Sequence, residues 1–266
     1  MSALRIADRK QELNFFDGML SQKHPERIFL VRASSESGKS VLLAELAKHA
    51  TGKLGVSSCA RINLKGEPLL ATVLDRICVD LGRETFPRFS SSGVPAPIQI
   101  RADLQGAKFR DENAVTVAPH IHQPGSLSSL TLATRLIADL SARVAPCVLI
   151  IDTFEQANAE TSNWIVQQLL PLVRSVLRLW VVIAGKDVPP AEQYPLEWGD
   201  LAKFHDLPPV SSADDWHEYA CQRYPNFPRH DLEVVCRGLF SRPAAIEEFI
   251  RVTGSRLGAT QMGTLG

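Results

Sequence analysis

The chain has 266 residues, enough for one large α/β domain with or without a small appendage. Its hydrophobic share of 45% suits a globular protein with a real core, and 29 Lys and Arg balance 29 Asp and Glu, so the zero net charge excludes a global pull toward nucleic acid or anionic membrane. The first residues carry Arg5, Asp8, Arg9 and Lys10 without an apolar core, and no apolar run reaches membrane-spanning length, so a cytoplasmic protein with no membrane partner is expected.

Residues 9–20 read as a helix, with Leu13, Phe16 and Leu20 on one face. Ile28-Phe29-Leu30-Val31 reads as a strand, and Val41-Leu42-Leu43-Ala44-Glu45-Leu46 opens a helix that ends near Gly52. A strand near 56–64 and a helix near 67–81 continue the alternation, which predicts a mainly parallel sheet with helices on both faces. Residues 83–126 break the rhythm. Pro87, Pro95, Pro97 and Ser90-Ser91-Ser92-Gly93 read as loop; Ile98-Gln99-Ile100 and Val115-Thr116-Val117 then alternate like strands about a polar turn, an inserted β-hairpin.

A helix near 127–144 carries the apolar stripe Leu130, Leu132, Leu136, Leu140 and leads into Val148-Leu149-Ile150-Ile151, the strongest apolar run of the chain. The helix near 158–177 contains Pro171, which has to kink or split it. Trp180-Val181-Val182-Ile183-Ala184 reads as a buried strand, followed by a Pro-rich loop and a short strand near 204–207. Beyond Pro208-Pro209 the pattern is helical to about Thr253, and 254–266 reads as a disordered tail.

Between the first strand and its helix lies Ala33-Ser34-Ser35-Glu36-Ser37-Gly38-Lys39-Ser40. Strand, tight loop and helix N-terminus are what a phosphate cradle needs: consecutive backbone N–H groups wrap the phosphates, and the helix start adds partial positive charge. Read as a P-loop, Ser35, Glu36, Ser37, Gly38, Lys39, Ser40 and Val41 line the phosphates. Lys39 reaches the β- and γ-phosphates, and the Ser40 hydroxyl holds Mg²⁺. Ala33 stands where the pattern has its first glycine, so its Cβ confines it to an ordinary backbone conformation. Glu36 would repel phosphate if it pointed inward. The run Glu36-Ser37-Gly38-Lys39-Ser40 resembles the P-loop of heterotrimeric G-protein alpha subunits, which also carry glutamate there, and this implies a side chain turned away.

Val148-Leu149-Ile150-Ile151-Asp152 is an apolar strand ending in an acid, the Walker B pattern, and Asp152 supplies the carboxylate that Mg²⁺ needs. Three residues on, Glu155 is placed to polarise an attacking water as general base. Lys39 and Glu155 are the candidate catalytic residues, with ATP and Mg²⁺ as cofactors.

Ile150-Ile151-Asp152-Thr153-Phe154-Glu155 resembles the Walker B segment of bacterial STAND-type signalling ATPases, which are AAA+-related. The resemblance continues through Trp164 and Val181-Val182-Ile183-Ala184-Gly185-Lys186, and through 207–215, which is similar to that family's link into a helical lid. Asp8-Arg9-Lys10-Gln11-Glu12-Leu13 is similar to its opening Gly-Arg-x-x-Glu-Leu. In all it covers about residues 8–252 outside 83–126. It implies a five-stranded parallel sheet, in which the fourth strand separates the Walker A and Walker B strands, and a nucleotide state that sets the angle between core and lid. Lys186 is a further candidate nucleotide-binding residue, although it replaces the family's arginine and cannot make the same bidentate phosphate contact. Ser241-Arg242-Pro243 stands where the lid usually carries Gly-x-Pro, with Arg242 either on phosphate or on the surface. Arg9 belongs either near the base or ribose or in a salt bridge with Glu12.

Other signals carry less. Asp103-Leu104-Gln105-Gly106 matches a GTPase switch motif, but no guanine-reading Asn-Lys-x-Asp accompanies it. His120 and His122 lack a third metal ligand. Arg101, Lys108 and Arg110 make the hairpin locally basic, interleaved with Asp103, Asp111 and Glu112, so a nucleic-acid stripe is not favoured. Cys59, Cys78, Cys147, Cys221 and Cys236 are odd in number and widely spaced, the pattern of free thiols in a reducing compartment.

The expected architecture is a three-layer P-loop NTPase domain, 1–207, with the 83–126 insertion, then a helical lid at 208–253 and the tail 254–266. The expected activity is Mg²⁺-dependent ATP binding and slow hydrolysis in a signalling or assembly switch. Protein partners would supply sensor and effector functions, with nucleotide-dependent self-association. Two alternatives stay open: a nucleotide-binding scaffold without turnover, and a nucleic-acid-associated ATPase of initiator or transposition type.

Overall fold

The computed structural model describes residues 9–34, 37–91, 128–208, 212–238 and 243–262. Helix α1 (Lys10–Leu20) buries Phe16, Met19 and Leu20 and leads to strand β1 (Ile28–Arg32). Helix α2 (Lys39–Leu54) outlasts the stop expected at Gly52, because the residue that takes the positive-φ conformation ending it is Gly55, at φ +104°. Strand β2 (Cys59–Asn63) and helix α3 (Leu70–Leu81) follow.

The loop expected from residue 83 begins later than that. Phe86 and Phe89 are fully buried. The short helix α4 (Pro87–Ser90) is capped by the buried Asp139 carboxylate, which accepts the N–H of Phe89 at 2.9 Å and of Arg88 at 3.4 Å. Phenylalanines in a Pro- and Ser-rich stretch anchor it to the core, and composition hides that. The expected hairpin, with Arg101, Lys108, Arg110, His120 and His122, lies outside the described residues.

Helix α5 (Ser129–Ala142) precedes strand β3 (Cys147–Asp152). Helix α6 (Ala159–Trp164), a π turn (Ile165–Leu169) and helix α7 (Leu170–Ser175) stand where one helix was expected. Pro171 has no N–H for the preceding turn, and the wider π turn absorbs the mismatch. Strands β4 (Leu179–Gly185) and β5 (Ala202–Asp206) complete the sheet, and helices α8 (Ala213–Arg223), α9 (Arg229–Gly238) and α10 (Pro243–Met262) follow.

The five strands are all parallel, in the order β2-β3-β4-β1-β5. The fourth strand separates the first from the third, as the resemblance implied. Every residue of β3 and β4 is buried, since helices cover both faces of the sheet. Successive residues feed opposite faces. Leu30, Leu149, Ile151, Val181 and Ile183 pack on the side of α3, α5 and α7, whereas Phe29, Val31, Val148, Ile150 and Val182 pack on the side of α1 and α2.

A separate cluster of Trp216, Phe227, Leu232, Ile246 and Ile250 gives the C-terminal helices a small core of their own. Helix α10 runs through Gly254 to Met262, into the segment expected as a tail. Gly254 is buried, and a Cβ there would overlap the Tyr224 ring; this glycine permits packing instead of ending the helix. No helix among the described residues is long and apolar enough to cross a membrane.

Parallel strands bring all their C-terminal ends to one edge of the sheet, the edge where open α/β sheets hold ligands. Main-chain bonds extend beyond the strands there. The N–H of Ala33 donates to the Gly185 carbonyl at 2.8 Å, and that of Leu207 to the Arg32 carbonyl at 2.8 Å.

Candidate functional site

Gly38 caps α2 with φ +83°, a left-handed conformation that a side chain would strain. Its carbonyl accepts the N–H groups of Val41 at 3.1 Å and Leu42 at 3.0 Å, closing the first turn. The Ser37 hydroxyl donates to the Ser34 carbonyl at 2.9 Å and braces the loop. The N–H groups that open a helix have no acceptor within it, so this 16-residue helix presents its positive end to the loop. Val41 is half exposed on that first turn, and Ser35 and Glu36 lie outside the described residues.

Asp152, 7% exposed at the end of β3, lies beside the same turn. Ser40 Oγ donates to its Oδ2 at 3.2 Å, and Lys39 Nζ stands 3.7 Å from Oδ1. Thr153 Oγ1 donates to Oδ1 at 3.3 Å. The Asp152 carboxylate thereby offsets both Lys39 and the positive helix end. Ser40 Oγ and Asp152 Oδ2 are hard oxygen donors, the chemistry Mg²⁺ takes when phosphate and water complete its shell. Among the described residues, no group of three or more His, Cys, Asp and Glu forms a metal cage of its own.

Thr153 holds φ +63°, a place where a β-branched residue stores strain on the order of 1–3 kcal/mol. The chain turns there into the short 3₁₀ segment Phe154–Gln156, which carries Glu155. Glu155 Oε2 accepts the backbone N–H of Lys186 at 2.9 Å, across the ends of β3 and β4. Gly185 leaves room for that bond: a Cβ on it would lie 2.5 Å from Glu155 Oε2 and would overlap the Asp187 carbonyl oxygen. The Lys186 side chain is exposed, and it is its main-chain N–H that joins the site.

Arg9 is buried behind the loop at 1% exposure. Its Nη2 donates to the Ser37 carbonyl and to the Pro208 carbonyl, each at 2.8 Å. Its Nη1 stands 3.7 Å from Glu12 Oε1, which also meets His205 Nε2 at 3.0 Å. The pairing with Glu12 is therefore present, together with main-chain partners the sequence did not suggest. Pro243, the first residue of α10, closes another side of the loop, its Cγ 3.8 Å from a Cβ built on Gly38. Arg242 lies outside the described residues.

Sequence reasoning missed three features: the backbone of Thr153, the need for glycine at 185, and the two carbonyls held by Arg9. The Ala-Gly pair that ends β4 was a signal for the second. Nothing local marks the third, since its acceptors are 28 and 199 residues away.

A parallel sheet with a glycine-capped loop after β1, and an acid ending a strand two places away, defines a nucleotide-binding P-loop ATPase fold of the AAA+ type. Residues 5–183 match the family model described as AAA ATPase domain, and the chain belongs to that family. The ORC2 protein of Aeropyrum pernix, solved as ADPNP–ADP complexes, shares the fold at 17% identity and a TM-score of 0.52, over 87% of this chain and 57% of that one. Cdc6p of Pyrobaculum aerophilum shares it at 16% identity and a TM-score of 0.54, over 88% of this chain and 56% of that one. This chain thus spans a little over half the length of either structure. No curated protein matches it.

Proposed function

We propose that the chain binds Mg-ATP between the P-loop and the end of β3 and hydrolyses it slowly, as a nucleotide-controlled switch of the signalling type its sequence resembles. The observation that carries this reading is the convergence of Lys39 and Ser40 on Asp152, with Ser40 and Asp152 112 residues apart in the chain. Lys39 would balance the β- and γ-phosphates. Ser40 and Asp152 would hold Mg²⁺, whose charge would stabilise the transferring phosphoryl group. Glu155 would take the proton of the attacking water. Ser37, Gly38 and the start of α2 would cradle phosphate through main-chain N–H groups.

Contacts between the core and the C-terminal helices support a switch. Pro243 stands against Gly38, and Lys10 of α1 pairs with Glu218 of α8 at 3.1 Å. Filling the loop would therefore be felt by α8 and α10. Proteins supplying sensor and effector functions, and self-association that depends on nucleotide, follow from the same reading.

The test is ATP binding and phosphate release by the wild type, Lys39→Ala and Glu155→Gln, with and without DNA. Binding lost in Lys39→Ala, and turnover lost with binding kept in Glu155→Gln, are expected. A wild type that binds no nucleotide at saturating Mg-ATP ends the proposal. The engagement of Glu155 by Lys186 favours a second reading, a nucleotide holder without turnover; binding without phosphate release identifies it. Turnover stimulated by DNA, with affinity falling steeply as salt rises, would move the assignment to an initiator- or transposition-type ATPase.

A further inference from the structure

We infer that Arg9 is a positioning residue of the nucleotide site, setting the phosphate loop and the link to the C-terminal helices from one anchor; this rests on the nucleotide reading above. Burying a guanidinium at 1% exposure is costly unless acceptors surround it. Arg9 has them: the Ser37 and Pro208 carbonyls on one nitrogen, and the Glu12 carboxylate, 5% exposed and itself met by His205, beside the other. Ser37 is buried as well, at 3%. This is an assembled cluster, drawn from the cap of α1, the P-loop, β5 and the residue that begins the link to α8.

The bond to Ser37 has a consequence for the cradle. No described peptide bond is cis, so the Ser37 carbonyl and the Gly38 N–H lie in one plane and point in opposite directions. Tying that carbonyl to a buried cation aims the Gly38 N–H away from the interior that Arg9 occupies. It also polarises the N–H as a donor. The same Nη2 holds Pro208, so a shift of the loop is transmitted to the link.

Arg9→Lys and Arg9→Ala in the full chain test this against the wild type. Lysine keeps the charge beside Glu12 but lacks the planar fork. It is expected to weaken Mg-ADP and Mg-ATP binding about tenfold. The ratio of ATP to CTP affinity should not change, and hydrogen exchange should quicken in peptides spanning 206–214. Unchanged affinity in a folded Arg9→Lys overturns the inference. So does an altered ATP-to-CTP ratio, which marks a base contact. If the variants do not fold, the wild type decides with inorganic pyrophosphate as probe. Protection at 37–42 accompanied by protection at 206–214 supports the shared anchor; protection at 37–42 alone overturns it. A wild type that binds neither Mg-ATP nor pyrophosphate removes the nucleotide reading itself, a result separable from all of these.

Discussion

The carboxylate of Glu155 accepts the main-chain N–H of Lys186 at 2.9 Å, which joins the turn after β3 to the turn after β4. The group proposed to activate water is thus held by backbone, and the exposed lysine side chain takes no part in holding it. The position of that carboxylate depends on both turns.

Glu155→Gln keeps the shape and the hydrogen bond to Lys186 while removing the base. Phosphate release is expected to fall by about 100-fold or more, with Mg-ATP affinity retained. A steady-state phosphate assay beside a nucleotide titration reads both. Turnover that persists unchanged in the variant would show that Glu155 is not the base.

Gly185→Ala places a methyl group against Glu155 Oε2 and the Asp187 carbonyl. Both turns must shift, at a cost of about 1–3 kcal/mol. Urea unfolding should show that loss, and phosphate release should drop with it. A stable variant with normal turnover would mean that the turns yield freely.

Burial pushes the Cys78 thiol up to about 12 and the Cys147 thiol up to about 11, from an ordinary 9.0. The unfolded chain therefore ionises first as pH rises, and it then binds fewer protons than the folded one. The stability these thiols contribute is whole below about pH 9 and is lost as pH climbs toward their folded values, by up to about 1.4 kcal/mol per unit for each thiol. Urea midpoints from pH 8 to 11 should fall, and less steeply in Cys78→Ala. Alkylation at pH 8 should spare both thiols until denaturant is added.

Gly254→Ala drives a methyl group into the Tyr224 ring inside the small core of α8–α10. The C-terminal helices should loosen while the sheet domain holds. Limited proteolysis should cut first beyond residue 208, and Mg-ATP should protect less than in the wild type.

Much of the candidate site was readable because its signals are short. A glycine–lysine–serine run between an apolar strand and a helix, and an apolar strand ending in Asp152, are local patterns set by sterics and periodicity. The order of strands came from resemblance, since no local pattern encodes which strands pair. Phe86 and Phe89 were read as loop because prolines and serines surround them, and only the packed core shows that they are buried. Only the packed helices show that Gly254 makes room for the Tyr224 ring.

The sequence by itself determined the alternation of strands and helices, the phosphate loop, and the acid that answers it, because each depends on neighbours within a few residues. The tertiary structure decided what those groups touch. It set Ser40 and Lys39 on Asp152, hung Glu155 on the backbone of Lys186, and made Arg9 a link between Ser37 and Pro208. Such contacts join positions far apart in the chain, and a parallel sheet brings them together only once all its C-terminal ends share one edge.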